Sequence, residues 1–388
     1  AATDGTGTAA SFSGPQLLRF DPASGNFYVV DAPNLIRKIT PAGVVTTFAT
    51  NFGKIQGLAI DASGNLFIAD VDNNVIWKMT PAGTATKYAG GTPGFANGLL
   101  SNAQFDGIFG LAFDSKGNLF VSDYNNRVIR KIDLAGNVTT FAGTQGISAA
   151  LDGTGTGAQF VAPNALTIDK NDNLWVADDN TVIRKITTQG DVSTVAGGGT
   201  NLGTAQGKSA KFDAIFDLTT DKAGNIYVID NYYALVKKIT PAGLVTVIAG
   251  ALPPGYNDGP LLSSNFSGPF GITFDASGKL FIADDNNRRI REVSLSGYII
   301  DKQLPAGLIF DNKTGAISGT PSVASPSTDY TVTAFNADGS SSFTVNITVK
   351  NAVVHVSAPN ISYQTPQNYI VAKTITPRSP ANTGGAIP

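Results

Sequence analysis

Short apolar runs separated by turn residues fill most of this chain. The stretch Gly110–Gly143 shows the unit. Four runs follow one another there: LAF (111–113), NLFVS (118–122), RVIRKI (127–132) and NVTTFA (137–142). Runs this short and this rich in β-branched and aromatic residues, with Gly, Asn and Asp between them, read as strands rather than helices. Four strands joined by tight turns predict one antiparallel sheet. Recurrence of the unit at a fixed period predicts a ring of such sheets.

The copies keep phase along the chain. The first strand ends in Asp21, Asp61, Asp114, Asp169, Asp221 and Asp275, and the second in Asp31, Asp70, Asp123, Asp178, Asp230 and Asp284. Gly64, Gly117, Gly224 and Gly278 fall where a short hairpin needs a left-handed residue, and Asp172 takes that place in the fourth copy. The third strand repeats as LIRKI (35–39), VIWKM (75–79), VIRKI (128–132 and 182–186), LVKKI (235–239) and RIREV (289–293). A TPAG turn follows at 40–43, 80–83 and 240–243.

These motifs resemble the NHL-repeat family, whose copies form the blades of a β-propeller. The resemblance covers roughly residues 1–297, about three quarters of the chain, and implies an all-β, six-bladed β-propeller of four-stranded antiparallel blades. A blade cannot bury both faces alone, so stacking around a ring completes the core.

Two further phases support packing between blades. The second strand carries an aromatic in every copy: Tyr28, Phe67, Phe120, Trp175, Tyr227 and Phe281. The connections into blades carry Phe12, Phe105, Phe160, Phe212 and Phe266, each expected to plug the gap between neighbours. Those connections are about twenty residues long, except the short one near 49–57, and all emerge on one face. Long loops on one face of a rigid scaffold are the usual seat of function, so that face is the first place to expect a ligand.

Departures from the repeat give the candidate site residues. Arg19 stands where other copies have Ala59, Ala112, Thr167, Thr219 and Thr273. It can face the central channel and attract an anion, or it can be a satisfied structural residue. Tyr124, Tyr232 and Tyr233 lie in loops between the second and third strands, on the long-loop side, where they can stack on a sugar or peptide or shield a blade edge. The regular Asp residues read as acceptors for turn backbone N–H groups, not as acid–base machinery. The clusters DVDNN (70–74) and DDNN (284–287) fall short of a calcium loop; they leave loosely bound calcium open as a cofactor without predicting it.

Composition narrows the function classes. Charged residues make up 14% and the net charge is −2, which gives no electrostatic case for nucleic acid. Cysteine is absent, so disulfides and thiolate metal sites are excluded. No apolar run approaches the length of a membrane span. No signal-peptide pattern opens the sequence at Ala1, so the expectation is a mature or trimmed form of a secreted protein. Peptidyl-hydroxyglycine lyases share the propeller architecture and hold zinc with histidines, but the single histidine here, His355, lies outside the repeats. Lactonase-type propellers hold calcium with Glu, Asn and Asp, and glutamate is nearly absent, Glu292 being the example. No catalytic residues and no metal ligands are assigned.

After Val293 the pattern changes. LPAGLIFDNKTGAISGTP (304–321), followed by two alternating runs around an Asn-Ala-Asp-Gly turn, resembles the Putative Ig (cadherin-like) repeat of bacterial surface proteins. It implies a small Ig-like β-sandwich over 298–350, incomplete at its start. Residues 351–388 then read as a linker and the opening strands of such a repeat. That stretch belongs to a further copy, folds back to complete its own domain, or completes a neighbour's through 359–388. The sixth blade also lacks an obvious fourth strand, for which Tyr298–Asp301 and residues ahead of Ala1 are the candidates.

The resulting expectation is a non-enzymatic extracellular or cell-surface module of a bacterial protein, for display, adhesion or assembly. Its partner would be a carbohydrate or protein ligand on the long-loop face. A self-assembling fibre subunit and a propeller lyase or hydrolase are the alternatives.

Overall fold

The computed structural model describes residues 2–32, 34–258, 264–311, 313–336, 339–351, 367–370 and 375–378. The chain forms two compact units, residues 1–293 and 294–388.

The first unit is the ring of six antiparallel blades. Its inner strands are Pro15–Phe20, Ile55–Ile60, Ile108–Phe113, Pro163–Ile168, Ile215–Thr220 and Pro269–Phe274. Each pairs with the following strand of its blade, and that one with the third. Outer strands Val44–Ala49, Ala85–Gly90, Asn137–Ala142, Asp191–Gly197 and Leu244–Ala249 complete blades 1 to 5. In blades 1, 3, 4 and 5 a two-residue strand, such as Gly5–Thr6 or Gly153–Thr154, adds a fifth member at the rim.

The turns form as their residues dictate. The Asp61 carboxylate accepts the backbone N–H groups of Ser63 and Asn65, at 2.9 Å each, and Gly64 follows at φ +78°. Asp172 takes φ +59° in blade 4, as the sequence predicts.

Inner strands of neighbouring blades approach so closely that no side chain fits between some of them. A Cβ added at Gly57 would collide with the Phe109 carbonyl oxygen, and one at Gly110 with the carbonyl of Asn164. Between blades the core is filled by the phased residues. Phe105 and Phe160 are fully buried, Phe212 and Phe266 nearly so, and Tyr28, Phe67, Phe120, Trp175 and Tyr227 are buried along the second strands. Phe281 is half-buried against Phe27 of blade 1, ring centroids 4.6 Å apart.

Blade 6 has three strands among the described residues. Tyr298–Asp301 does not supply its fourth: Gly297–Ile300 pairs instead with Ser325–Asn336, in the second unit.

The second unit has two sheets. One orders Gly297–Ile300, Ser325–Asn336, Gly339–Lys350 and Gln367–Ile370; the other orders Leu308–Phe310, Ile317–Gly319 and Ile375–Arg378. Leu308, Ile317, Tyr330, Val332, Val345, Ile347 and Val349 form its core. This is an Ig-like sandwich. Two pieces of the C-terminal stretch join it: Gln367–Ile370 runs parallel to Ile347–Lys350, and Ile375–Arg378 pairs antiparallel with the strand Ile317–Gly319. The remainder of 359–388 lies outside the described residues.

Candidate functional site at the loop-face mouth of the propeller

One side chain per blade fixes the long loops before any ligand site can exist. The Asp that closes the second strand is fully buried in all six blades. It caps the incoming connection: Asp178 accepts the N–H groups of Val161 and Ala162 at 2.9 and 2.8 Å. Its other oxygen meets the buried cation of the third strand. The pairs are Arg37–Asp31, Arg130–Asp123, Arg184–Asp178, Lys237–Asp230 and Arg291–Asp284, at 2.7 to 3.2 Å.

Those cations also hold the connection itself. Arg130 donates to the carbonyls of Ala96 and Gln104 and to the Asn97 side chain. Arg184 does the same with Leu151, Gln159 and Asp152, and Arg291 with Asn257, Asn265 and Asp258. Each guanidinium or ammonium also lies over the plugging Phe: Arg37 over Phe12, Arg130 over Phe105, Arg184 over Phe160, Lys237 over Phe212 and Arg291 over Phe266. Blade 2 is the exception that explains the rule. It follows the short connection, so there is no long loop to hold, and Trp77 replaces the cation and donates its indole N–H to Asp70 at 3.2 Å.

Burial raises four carboxyls of this ring. Asp123 is pushed up to about 6, its desolvation opposed by hydrogen bonds from the Asp106 N–H, Arg130 and Asn126. Asp178, Asp230 and Asp284 are raised for the same first reason. Each Asp of this ring accepts backbone N–H groups, as its regularity indicated.

The loops thus pinned surround the upper ends of the inner strands, where the repeat breaks. The second residue of each inner strand is Gln16, Gln56, Phe109, Asn164, Phe216 and Phe270. Phe216 and Phe270, on neighbouring blades, stack face to face with centroids 4.4 Å apart and planes 1° apart, and both are half-buried. Phe109 stacks on Tyr124 at 4.5 Å. The polar members interleave with them. Asn164 donates to Asn180 at 2.8 Å. Asp285 is raised by burial and by the nearby Asp31 and Asp284 carboxylates, against a hydrogen bond from Gln16. An aromatic arc and a set of amide and carboxyl groups therefore share one mouth.

The sequence-derived candidates divide between places. Tyr124 belongs to the mouth, half-buried on Phe109. Tyr232 is 66% exposed and meets Tyr233 edge-on at 5.0 Å. Tyr233 is half-buried, with the Lys211 and Lys237 ammonium groups over its ring. These two stand on blade 5, two blades from Tyr124. Arg19 does line the channel, but its charge is met: Asp217, on the inner strand of blade 5, takes two of its N–H groups at 2.7 and 2.9 Å. Of the two readings left open for Arg19, this pairing favours the satisfied structural residue.

Phe109, Phe216, Phe270 and Asp217 were not singled out from the sequence. The signal was present: the second inner position switches between Phe and amide, and Asp217 stands where other blades have Gly57, Gly110 and Gly271. Among the described residues, no three His, Cys, Asp or Glu side chains gather as a metal site. Among the described residues, no helix is long and apolar enough to cross a membrane. His355 lies outside the described residues.

Comparison with known proteins agrees with the architecture. The Putative Ig domain family matches residues 273–350, overlapping the last blade as well as the sandwich. The protein SUPPRESSOR OF QUENCHING 1, chloroplastic, of Arabidopsis thaliana is 30% identical over 64% of this chain. The chain spans 31% of that protein's length. An auxiliary nutrient binding protein from Bacteroides thetaiotaomicron superposes with TM-score 0.61 and 20% identity, covering 75% of this chain and 72% of its own. A gluconolactonase from Xanthomonas campestris superposes at TM-score 0.52 and 13% identity, covering 71% and 84%. At these identities the solved structures share the fold.

Proposed function

We propose that this chain is an NHL-type propeller joined to an Ig-like sandwich, and that it serves a bacterial extracellular or cell-surface protein as a non-enzymatic binding module. The ligand is a carbohydrate held at the loop-face mouth. The observation that carries this reading is the stacked pair Phe216–Phe270, half-exposed at positions where blades 1, 2 and 4 carry amides. The phased aromatics already fill the gaps between blades, and although Phe270 also packs against the core cluster that holds Leu17 and Tyr28, both rings of the pair stay partly open.

Aromatic faces take the C–H side of a sugar ring, and Gln16, Gln56 and Asn164 are suited to its hydroxyls. The low charge of the chain fits a neutral ligand. The nutrient-binding neighbour supports the same direction at the level of fold. Tyr124 at the mouth and the exposed Tyr232 on blade 5 extend the surface for a ligand of several residues.

A glycan array probed with the intact chain and with Phe216→Gln/Phe270→Gln tests the reading. Binding to neutral glycans that the double variant loses is the expected result. Binding that survives in the double variant places the ligand elsewhere.

A further inference from the structure

The propeller has a second recess, at the opposite end of its channel. A cavity of about 310 Å³ opens among the tight turns that join first to second strands. Its lining comes from the last residues of the inner strands and the first residues of those turns, Phe20, Pro22, Ile60 and Asp61 among them. None of the mouth residues line it. At its inner end the Arg19 side chain crosses the channel, donating Nε–H to the Leu58 carbonyl at 2.9 Å and holding Asp217.

The walls of this cavity are divided by chemistry. Blades 4, 5 and 6 present Thr167, Thr219 and Thr273 at one level, and blade 1 presents Arg19. Blades 2 and 3 present the methyl groups of Ala59 and Ala112 at that same level. The hydroxyls of Thr167 and Thr219 form no hydrogen bond to protein among the described residues. A hydroxyl both donates and accepts. Arg19 has five N–H donors, and four hydrogen bonds to Leu58, Leu18 and Asp217 occupy them in part, leaving one N–H over.

We propose that this cavity is a binding site for a small uncharged polyhydroxyl compound, a monosaccharide or alditol, separate from the loop-face mouth. The three threonines and the remaining Arg19 N–H meet hydroxyls along one edge of the ligand. The alanine side meets its C–H face. An anion is disfavoured because Asp217 already neutralises the one guanidinium in reach. The volume lies at the small end of ligand pockets, which limits the occupant to a single ring.

The test uses ligand-observed NMR with the intact chain against a panel of neutral pentoses, hexoses and their alditols. Galacturonate serves as the anionic counterpart. Thr167→Val, Thr219→Val and Thr273→Val keep side-chain shape and remove only the hydroxyl, so folding is retained. At least one neutral compound is expected to bind, to weaken about tenfold or more in Thr219→Val, and to be unaffected in Phe216→Gln/Phe270→Gln. Three results overturn the proposal: no panel member binding, binding indifferent to all three threonine variants, or preference for galacturonate. Loss of binding in the Phe double variant alone would assign the sugar to the mouth instead.

Discussion

Arg19 and Asp217 stand 198 residues apart in sequence and meet through two hydrogen bonds of 2.7 and 2.9 Å. Arg19 belongs to blade 1 and Asp217 to blade 5, so the pair spans the inner strand of blade 6. Asp217 also accepts the N–H of Ile272 on that strand at 3.0 Å, and Arg19 reaches on to Leu58 of blade 2. The contact ties four consecutive blades together where the ring closes. It does so beside the one blade that has no outer strand among the described residues.

Removing one partner leaves the other charge in a site with 1% exposure on the Asp217 side. Asp217→Ala is expected to lower unfolding stability by about 3 kcal/mol, and Arg19→Leu by a comparable amount. The double variant should cost less than their sum, because it leaves no buried charge alone. Denaturant unfolding of the four proteins measures this. Strictly additive losses would show that the pair does not couple the blades.

The buried carboxyl of Asp123 carries a pH signature. Its value of about 6 in the folded chain exceeds the ordinary 3.8. The folded state therefore binds the proton more readily than the unfolded one. The contribution is fully present below pH 3.8 and is lost as pH rises through about 6. Stability should fall by roughly 1–3 kcal/mol across that window from this group, with Asp178, Asp230 and Asp284 acting in the same direction. Below it the trend reverses, since hydrogen bonds from Asn137 hold the Asp133 carboxyl below its usual value. Unfolding free energies measured from pH 3.5 to 7 check this, and a steady rise with pH across the upper window would contradict it.

The third-strand cations make a prediction about loops. Arg130→Met removes the three hydrogen bonds by which the guanidinium holds Ala96, Asn97 and Gln104. It also leaves Asp123 buried without its cation. A loss of about 3 kcal/mol is expected, together with faster amide exchange at residues 96–104. Trp77→Phe in blade 2 should leave the exchange of the long connections unchanged, since no such loop depends on it. Exchange mass spectrometry reads both.

Much of this was legible from the repeat itself. The blades, their turns and the plugging phenylalanines follow from phase, because a repeated position must solve the same packing problem each time. The Asp and Arg pairs were visible as residues but not as pairs, since the sequence does not say that Asp123 and Arg130 face the same connection. The mouth was harder. Phe216 and Phe270 are ordinary strand residues in sequence and become a stacked pair only when the ring brings two inner strands side by side. Asp217 was hidden for the same reason: its partner lies 198 residues away. The strand Gly297–Ile300 has the length and apolar character to finish blade 6, and only its pairing with Ser325–Asn336 decides otherwise.

Close approach of inner strands sets a strict requirement at Gly57. A methyl group there meets the Phe109 carbonyl, which is backbone and cannot swing away. Gly57→Ala should be among the most damaging small substitutions in the propeller, costing on the order of 3 kcal/mol or preventing folding. Thermal unfolding of both variants checks this: Ala59→Ser, two residues on and facing the cavity, should be nearly neutral. Equal tolerance at both positions would mean that the inner strands are not packed this closely.

The central claim is that the loop-face mouth, through Phe216 and Phe270, is the ligand site. Its most direct test is the affinity of one array-identified glycan for the intact chain and for Phe216→Gln/Phe270→Gln, with melting temperature measured alongside. The account predicts a loss of about tenfold or more at unchanged melting temperature. Equal affinity in a folded double variant, or no glycan bound by the intact chain, would contradict it.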